Sequence, residues 1–265
     1  MAPLVTLTTD FGTRDAYVAE LKGTLLSEGP PELRIVDLSH ELAPFDVHAA
    51  ALFVRAALPR FPAGTIHVVV VDPGVGSDRA ALIVKLRDMT LIGPDNCLFS
   101  YLFDGSEEVY AIARERLGGR EISSTFHGRD VFAPVAARLA AGATPEEFGA
   151  RVEAYKRMAF PMVEVSGDAL HGRVIHIDRY GNLVTNISAA TLRGFIGGDA
   201  PDHFGISIGE HHVRNFVDCY ARGLPGELVA LVGSAGLLEV AAREESAAQR
   251  LHVEVGRSIR VQRES

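Results

Sequence analysis

Ile66-His67-Val68-Val69-Val70-Val71, followed at once by Asp72-Pro73-Gly74-Val75-Gly76, decides how the first half of the chain folds. Its apolar members are all β-branched, stiff at χ1 and suited to a pleated surface. Little polar alternation interrupts them, which predicts a central strand covered on both faces. Asp-Pro-Gly then ends the run. Working outward, Leu4–Thr8 predicts a strand that stops at Asp10-Phe11-Gly12, and Arg34–Asp37 predicts another. Tyr17, Val18, Leu21, Leu25 and Leu26 recur at helical spacing, and Val47–Leu58 reads as an Ala-rich helix closed by Pro59 and Pro62. Ala80–Leu86 reads as a strand and Val131–Ala141 as a helix. Strands alternating with helices imply βαβ units, a mostly parallel sheet and right-handed crossovers. The region to about residue 160 is therefore predicted to be an α/β domain.

Beyond Gly167 the pattern changes. Short strands are predicted at Gly172–Asp178, Leu183–Ile187, Phe204–Ile208, Glu227–Val232, Leu237–Ala241 and Ser258–Gln262. Turn residues separate them, as in Gly181-Asn182, Gly197-Gly198 and Leu224-Pro225-Gly226. Closely spaced short strands predict a small antiparallel β-barrel or sandwich over residues 167–265. The boundary is placed between Tyr155 and Gly167, around Pro161. No internal repeat and no low-complexity segment is found.

Composition limits the function. The 265 residues carry 26 Lys and Arg against 34 Asp and Glu, a net charge of −8. An acidic chain lacks the basic footprint of a nucleic-acid binder. At 47% hydrophobic and 23% charged it is of globular composition, not that of a disordered chain. Cys97 and Cys219 are its only cysteines and form no CxxC, which argues against a disulfide framework and a zinc ribbon. The N-terminus has no basic n-region, and no run reaches the ~18–20 apolar residues of a membrane span. A soluble cytoplasmic protein is expected, without membrane partners.

Ligands of open α/β sheets bind beyond the carboxyl ends of the strands. Three polar clusters fall at such positions: Thr8-Thr9-Asp10-Phe11-Gly12, Asp72–Arg79, and Phe126-His127-Gly128-Arg129-Asp130 before a helix. Each admits a plainer role. Asp10 and Asp72 suit caps and turns, His127 suits a satisfied structural histidine, and Arg79 suits a surface charge. Gly74-Val75-Gly76 fails as a dinucleotide fingerprint, since Arg79 occupies the third glycine position and a strand follows. Asp10, Asp72, Asp95 and His127 are a conceivable metal set. No HExxH occurs, however, and His211-His212 sits in a turn between predicted strands, so no metal is expected.

Thr9-Asp10-Phe11-Gly12, Val71-Asp72-Pro73-Gly74-Val75-Gly76 with Arg79, and Phe126-His127-Gly128-Arg129-Asp130 also occur as an ordered set. They continue with Asp178-Arg179-Tyr180-Gly181-Asn182-Leu183-Val184-Thr185-Asn186 and Gly233-Ser234-Ala235-Gly236. With these motifs the chain resembles the S-adenosylmethionine hydrolases (hydroxide adenosyltransferases), relatives of fluorinase and chlorinase, over nearly its whole length. The resemblance implies an α/β domain followed by a β-barrel-like domain, and homotrimers with active sites between subunits. It implies attack of water or hydroxide at ribose C5′ of S-adenosyl-L-methionine, giving adenosine and methionine without a cofactor. Halogenases carry Tyr where Asp72 stands and, in fluorinase, Ser where Gly128 stands. Fluorinases also carry an inserted loop where this chain runs from Leu86 to Asp95 through a short connection. Asp72, Arg79 and His127 match the Asp–Arg–His triad of the hydroxide-transferring branch.

The resemblance further implies that Asp10 binds the ribose hydroxyls and that Phe126 lines the ribose or nucleophile pocket. Asp178 and Ser234 would hold the methionine ammonium and carboxylate, and Tyr180 and Asn182 would contact adenine. Ala235 stands where fluorinase has Arg, leaving backbone amides and Ser234 for the carboxylate. His127 precedes a helix, whose positive end favours neutral imidazole. Which triad member takes the proton stays open. Two rival functions remain: a halide-dependent adenosyl transferase, and a nucleoside or S-adenosylmethionine sensor with little turnover.

Overall fold

The computed structural model describes residues 2–119, 121–197 and 204–263. The chain divides into two compact units, Met1–Ala159 and Phe160–Ser265. The first runs β1 (Leu4–Thr9), α1 (Tyr17–Glu28), β2 (Arg34–Ser39), α2 (Val47–Ala57), β3 (Ile66–Val70), β4 (Ala81–Leu86), β5 (Met89–Pro94), β6 (Glu108–Ala111) and α3 (Ala133–Ala140). Its sheet order is β2-β1-β3-β5-β4-β6. The pairs β1–β2, β1–β3 and β3–β5 are parallel, while β4 pairs antiparallel with β5 and β6.

The quoted strand lies in the middle of this sheet. Val68 and Val70 enter the core that contains Leu21, Leu25 and Phe132, while Val69 and Val71 enter the one that contains Ala50, Val54 and Leu58. Alternate residues thus bury on opposite faces, which is why the run shows no polar alternation. Each such side chain contributes about 1.5–3 kcal/mol through burial.

Several readings are corrected. The stretch from Leu86 to Asp95 is not a bare connection. It contains β5, which reverses at Arg87-Asp88 and slots between β3 and β4. Gly93 lets it in, because a Cβ there would stand 2.5 Å from the Val69 carbonyl. The helix read as Val131–Ala141 begins instead with a π-helical turn, Gly128–Phe132, before α3. Pro134, lacking an N–H, is accommodated in the first turn of α3.

The second unit contains β7 (Glu164–Ser166), β8 (Ala169–Ile177), β9 (Leu183–Ser188), α4 (Ala189–Ile196), β10 (Phe204–Ile208), β11 (His211–Val213), β12 (Leu228–Val232), β13 (Leu237–Ala242), α5 (Ala247–Leu251) and β14 (Ser258–Arg263). Its sheet is antiparallel, in the order β11-β10-β14-β8-β9-β13-β12, with β7 on β8. Beyond β11, Asn215 and Val217 exchange backbone hydrogen bonds with Ala230 on β12, so the sheet nearly closes into a barrel. His211 and His212 stand on β11 and not in the turn, which is Gly209-Glu210. Gly198 of the expected Gly197-Gly198 turn lies outside the described residues; Gly197 caps α4.

Candidate functional site

The loop after β3 carries Asp72 and returns through Arg79 into β4. Asn96, just beyond β5, anchors its start by donating from Nδ2 to the Val71 carbonyl at 2.8 Å. Gly76 anchors its middle. It has φ of +81°, and a Cβ on it would stand 2.3 Å from the Ser124 carbonyl. Only glycine permits that approach, which packs the loop against the segment leading to Phe126 and His127.

Arg79 bridges the other two members of the expected triad. Its Nε donates to both Asp72 oxygens at 3.0 and 2.9 Å, and Nη2 donates to Asp72 Oδ2 as well. Nη2 also meets His127 Nδ1 at 2.8 Å. The Asp72 and Arg79 side chains are each only 4% exposed, and His127 is 2% exposed. The guanidinium also lies 5.5 Å from the Phe132 ring centre.

This contact settles a tautomer. Guanidinium has donors and no acceptor, so His127 Nδ1 accepts and the imidazole proton resides on Nε2. Nε2 is buried and has no hydrogen-bond partner among the described residues. Burial lowers the His127 pKa from its ordinary value, and the charges of Arg79 and Arg114 lower it further. The neutral form expected from the helix start is therefore favoured chiefly by desolvation.

Asp10 lies at the same strand-end edge but has no hydrogen bond to the triad. Its Oδ2 accepts from the backbone N–H of Phe45 at 2.8 Å. Phe45 is a residue that sequence reading missed: it is 71% exposed and takes φ of +66°, unusual for a bulky side chain. Behind the loop, Thr9 Oγ1 bonds His40 Nδ1 at 2.8 Å, and His40 Nε2 lies 3.1 Å from Asp37 Oδ1. Phe126 packs edge-on against Phe11 and Tyr17, with ring centres 5.8 and 5.3 Å away. It is buried, so aromatic packing accounts for most of its surface. Asp95, named with the conceivable metal set, accepts from the Lys156 N–H.

In the C-terminal unit, Asp178 builds the turn it opens. Oδ1 accepts from the N–H groups of Tyr180 and Asn182, both at 2.9 Å, and Oδ2 accepts from Asn182 Nδ2 at 2.8 Å. That scheme leaves Tyr180 77% exposed and Asn182 buried. Ser234 and Ala235 are exposed in the turn between β12 and β13, which the Gly236 N–H closes on the Gly233 carbonyl at 2.9 Å. Glu239, buried on β13, and Tyr220 were also missed. Their hydroxyl–carboxylate hydrogen bond is 2.7 Å long. A charged residue inside the apolar run Leu237-Leu238-Glu239-Val240-Ala241-Ala242 was the available signal.

Residues 5–149 match the SAM hydroxide adenosyltransferase N-terminal domain, and residues 172–260 match the C-terminal domain of the same name. The (R)-S-adenosyl-L-methionine hydrolase of Thermus thermophilus is 38% identical over 264 residues, covering 95% of this chain and 96% of that protein. A fluorinase from an Actinoplanes species is 30% identical over 220 residues, covering 72% of this chain and 73% of that protein. A crystal structure of an uncharacterized conserved protein from Thermotoga maritima superposes with a TM-score of 0.90 at 32% identity, covering 98% and 100% of the two chains. Matches this long, in both halves and in one order, place the chain in the SAM hydroxide adenosyltransferase family.

Proposed function

We infer that the protein hydrolyses S-adenosyl-L-methionine to adenosine and L-methionine. The observation that carries this reading is the buried Asp72–Arg79–His127 chain at the strand-end edge. A water oxygen attacks ribose C5′ in line with the C–S bond. That bond breaks with its electron pair on sulfur, so methionine leaves as a neutral thioether. Such a leaving group needs no general acid and no metal, and the task left to the enzyme is to hold and deprotonate the nucleophile.

The three side chains divide that task by hydrogen-bond chemistry. His127 Nε2–H donates to the water oxygen and fixes its position. Arg79, a permanent cation, supports developing negative charge. Its lone pairs make the Asp72 carboxylate the proton acceptor, because Arg79 has none and His127 Nδ1 is already engaged. Asp10 and Phe126 serve the ribose, and Tyr180 and Asn182 serve adenine. Ser234, with the amides around Ala235, serves the methionine carboxylate.

Incubation of the purified protein with S-adenosylmethionine tests the reading: adenosine and methionine should accumulate in equal amounts, above a heat-killed control. Parallel arms with chloride or fluoride should give no halogenated nucleoside, and a chelator should leave the rate unchanged. Resemblance supports a homotrimer with active sites between subunits, which sedimentation equilibrium reads as three times the 28.5 kDa chain mass. A cytoplasmic location belongs to the same reading; no helix among the described residues is long and apolar enough to cross a membrane.

A further inference from the structure

A buried histidine just past β2 has no part in the reaction above. His40 is 5% exposed and follows directly on the strand, beside the end of β1 that delivers Asp10. The parallel pairing of the two strands slips there: Leu7 faces Asp37 but Thr8 faces Ser39, so Leu38 is an extra residue. Bulges of this kind re-aim side chains next to functional sites. Continued by one residue, the shifted register sets His40 opposite Thr9.

His40 holds the turn on both sides of Asp10. Its Nδ1 lies 2.8 Å from Thr9 Oγ1, and its carbonyl accepts from the Gly12 N–H at 2.7 Å. The same Thr9 oxygen accepts from the Phe11 N–H at 3.2 Å. Across the ring, buried Nε2 stands 3.1 Å from Asp37 Oδ1, close but not aligned as a hydrogen bond. A bare lone pair there would repel the carboxylate. The proton of the neutral ring therefore sits on Nε2, and Nδ1 accepts from the Thr9 hydroxyl. Asp37 is held in turn by Lys22 of α1, with Nζ 2.5 Å from Oδ2. Burial raises the Asp37 pKa, but Lys22 and His40 outweigh it and keep the carboxyl below its ordinary value. The chain from Lys22 through Asp37, His40 and Thr9 thus ends on the peptide groups that flank Asp10. The turn needs such holding, because Gly12, at φ of +67°, restrains it little by itself.

We propose that His40 is a positioning residue: by fixing Thr9 and Gly12 it aims the Asp10 carboxylate, and through Asp10 it sets the preference for ligands that bear ribose hydroxyls. A carboxylate accepts from two neighbouring hydroxyls only in a narrow range of orientations, which supporting hydrogen bonds must maintain. The proposal rests on Asp10 serving the ribose, as in the reading given above.

Calorimetric titration with adenosine and with 2′,3′-dideoxyadenosine, which lacks only the two hydroxyls, tests it. Wild type should bind adenosine at least about tenfold more tightly, the scale of a charge-assisted hydrogen bond. Asp10→Ala should erase the preference. His40→Ala should shrink it to within about threefold while dideoxyadenosine keeps its wild-type affinity. His40→Asn, whose Oδ1 can accept from Thr9, should restore most of it. Thr9→Val should lose it as His40→Ala does, and serves if His40→Ala does not fold. A preference that survives in Asp10→Ala, or in both His40→Ala and Thr9→Val, would overturn the assignment. So would a His40→Ala protein that binds both nucleosides more weakly by the same factor. Wild type that binds the two alike would remove Asp10 from the ribose and this assignment with it. A protein that shows the expected preferences but does not hydrolyse S-adenosylmethionine would keep the role of His40 and overturn only the reading of the reaction.

Discussion

Arg79 has no lone pair to give, and the role of His127 follows from that. In the proposed reaction, with Nδ1 accepting from Arg79, the imidazole meets the nucleophile as a donor through Nε2. A glutamine amide can reproduce a donor near that position, whereas alanine cannot. His127→Gln is therefore expected to keep turnover within about tenfold of wild type, while His127→Ala loses on the order of 10²-fold or more. Equal inactivity of the two variants would restore a base role to the ring. Asp72→Ala should lose turnover as severely and still bind adenosine, measured by calorimetry. Burial lowers the His127 pKa, so the neutral ring persists to lower pH than an ordinary imidazole would. The acid limb of the pH–rate profile should therefore lie below the ordinary imidazole range, and a limb inside or above that range would count against the neutral ring. The meeting of Asp72, Arg79 and His127 was legible through the ordered motifs of the family resemblance, since each residue taken alone suits a turn, a surface charge or a structural histidine. Phe45 was not, since its exposure and positive φ belong to the loop around Asp10 and leave no trace in residue type.

β3 was readable because both of its faces are buried, which turns burial into an unbroken β-branched run. β5 was not, because Gly93 and Pro94 shorten its apolar stretch to Leu91 and Ile92, flanked by a turn on each side. His67, inside β3, looked like a minor interruption; it is wholly buried and bonds Thr6 Oγ1 at 2.7 Å. Burial depresses its pKa to about 4. The unfolded chain, with the ring near its ordinary value of about 6.5, then binds the proton that the folded chain refuses. Stability is unaffected above that pH and is lost as pH falls from about 6.5 toward 4, by up to roughly 1.4 kcal/mol per unit. Urea denaturation at stepwise pH should show this slope in wild type and a flatter one in His67→Gln. Gly76→Ala should be costlier than an ordinary surface change, by about 1–3 kcal/mol. It should also lower kcat, because moving the loop off Ser124 carries Arg79 with it; stability lost at full kcat would count against that coupling.

Across the whole chain, the mixed character was visible as a change of pattern near Pro161, while the pairing order was not. Strand order depends on contacts between residues far apart in sequence, such as Ser258–Arg263 lying between β8 and β10, and no local period encodes it. The edges of the first sheet show what that order entails. β6 is covered by backbone pairing with residues 150–152, but among the described residues β2 pairs with β1 alone. An uncovered strand is a template for other chains unless charge blunts it, and β2 carries Arg34 and Asp37, the latter paired with Lys22. Those charges therefore act as colloidal gatekeepers: the behaviour of a concentrated solution hangs on the polar residues of one edge strand. Arg34→Val, at the exposed end of the strand, should reveal itself as turbidity on storage while fresh protein turns over normally.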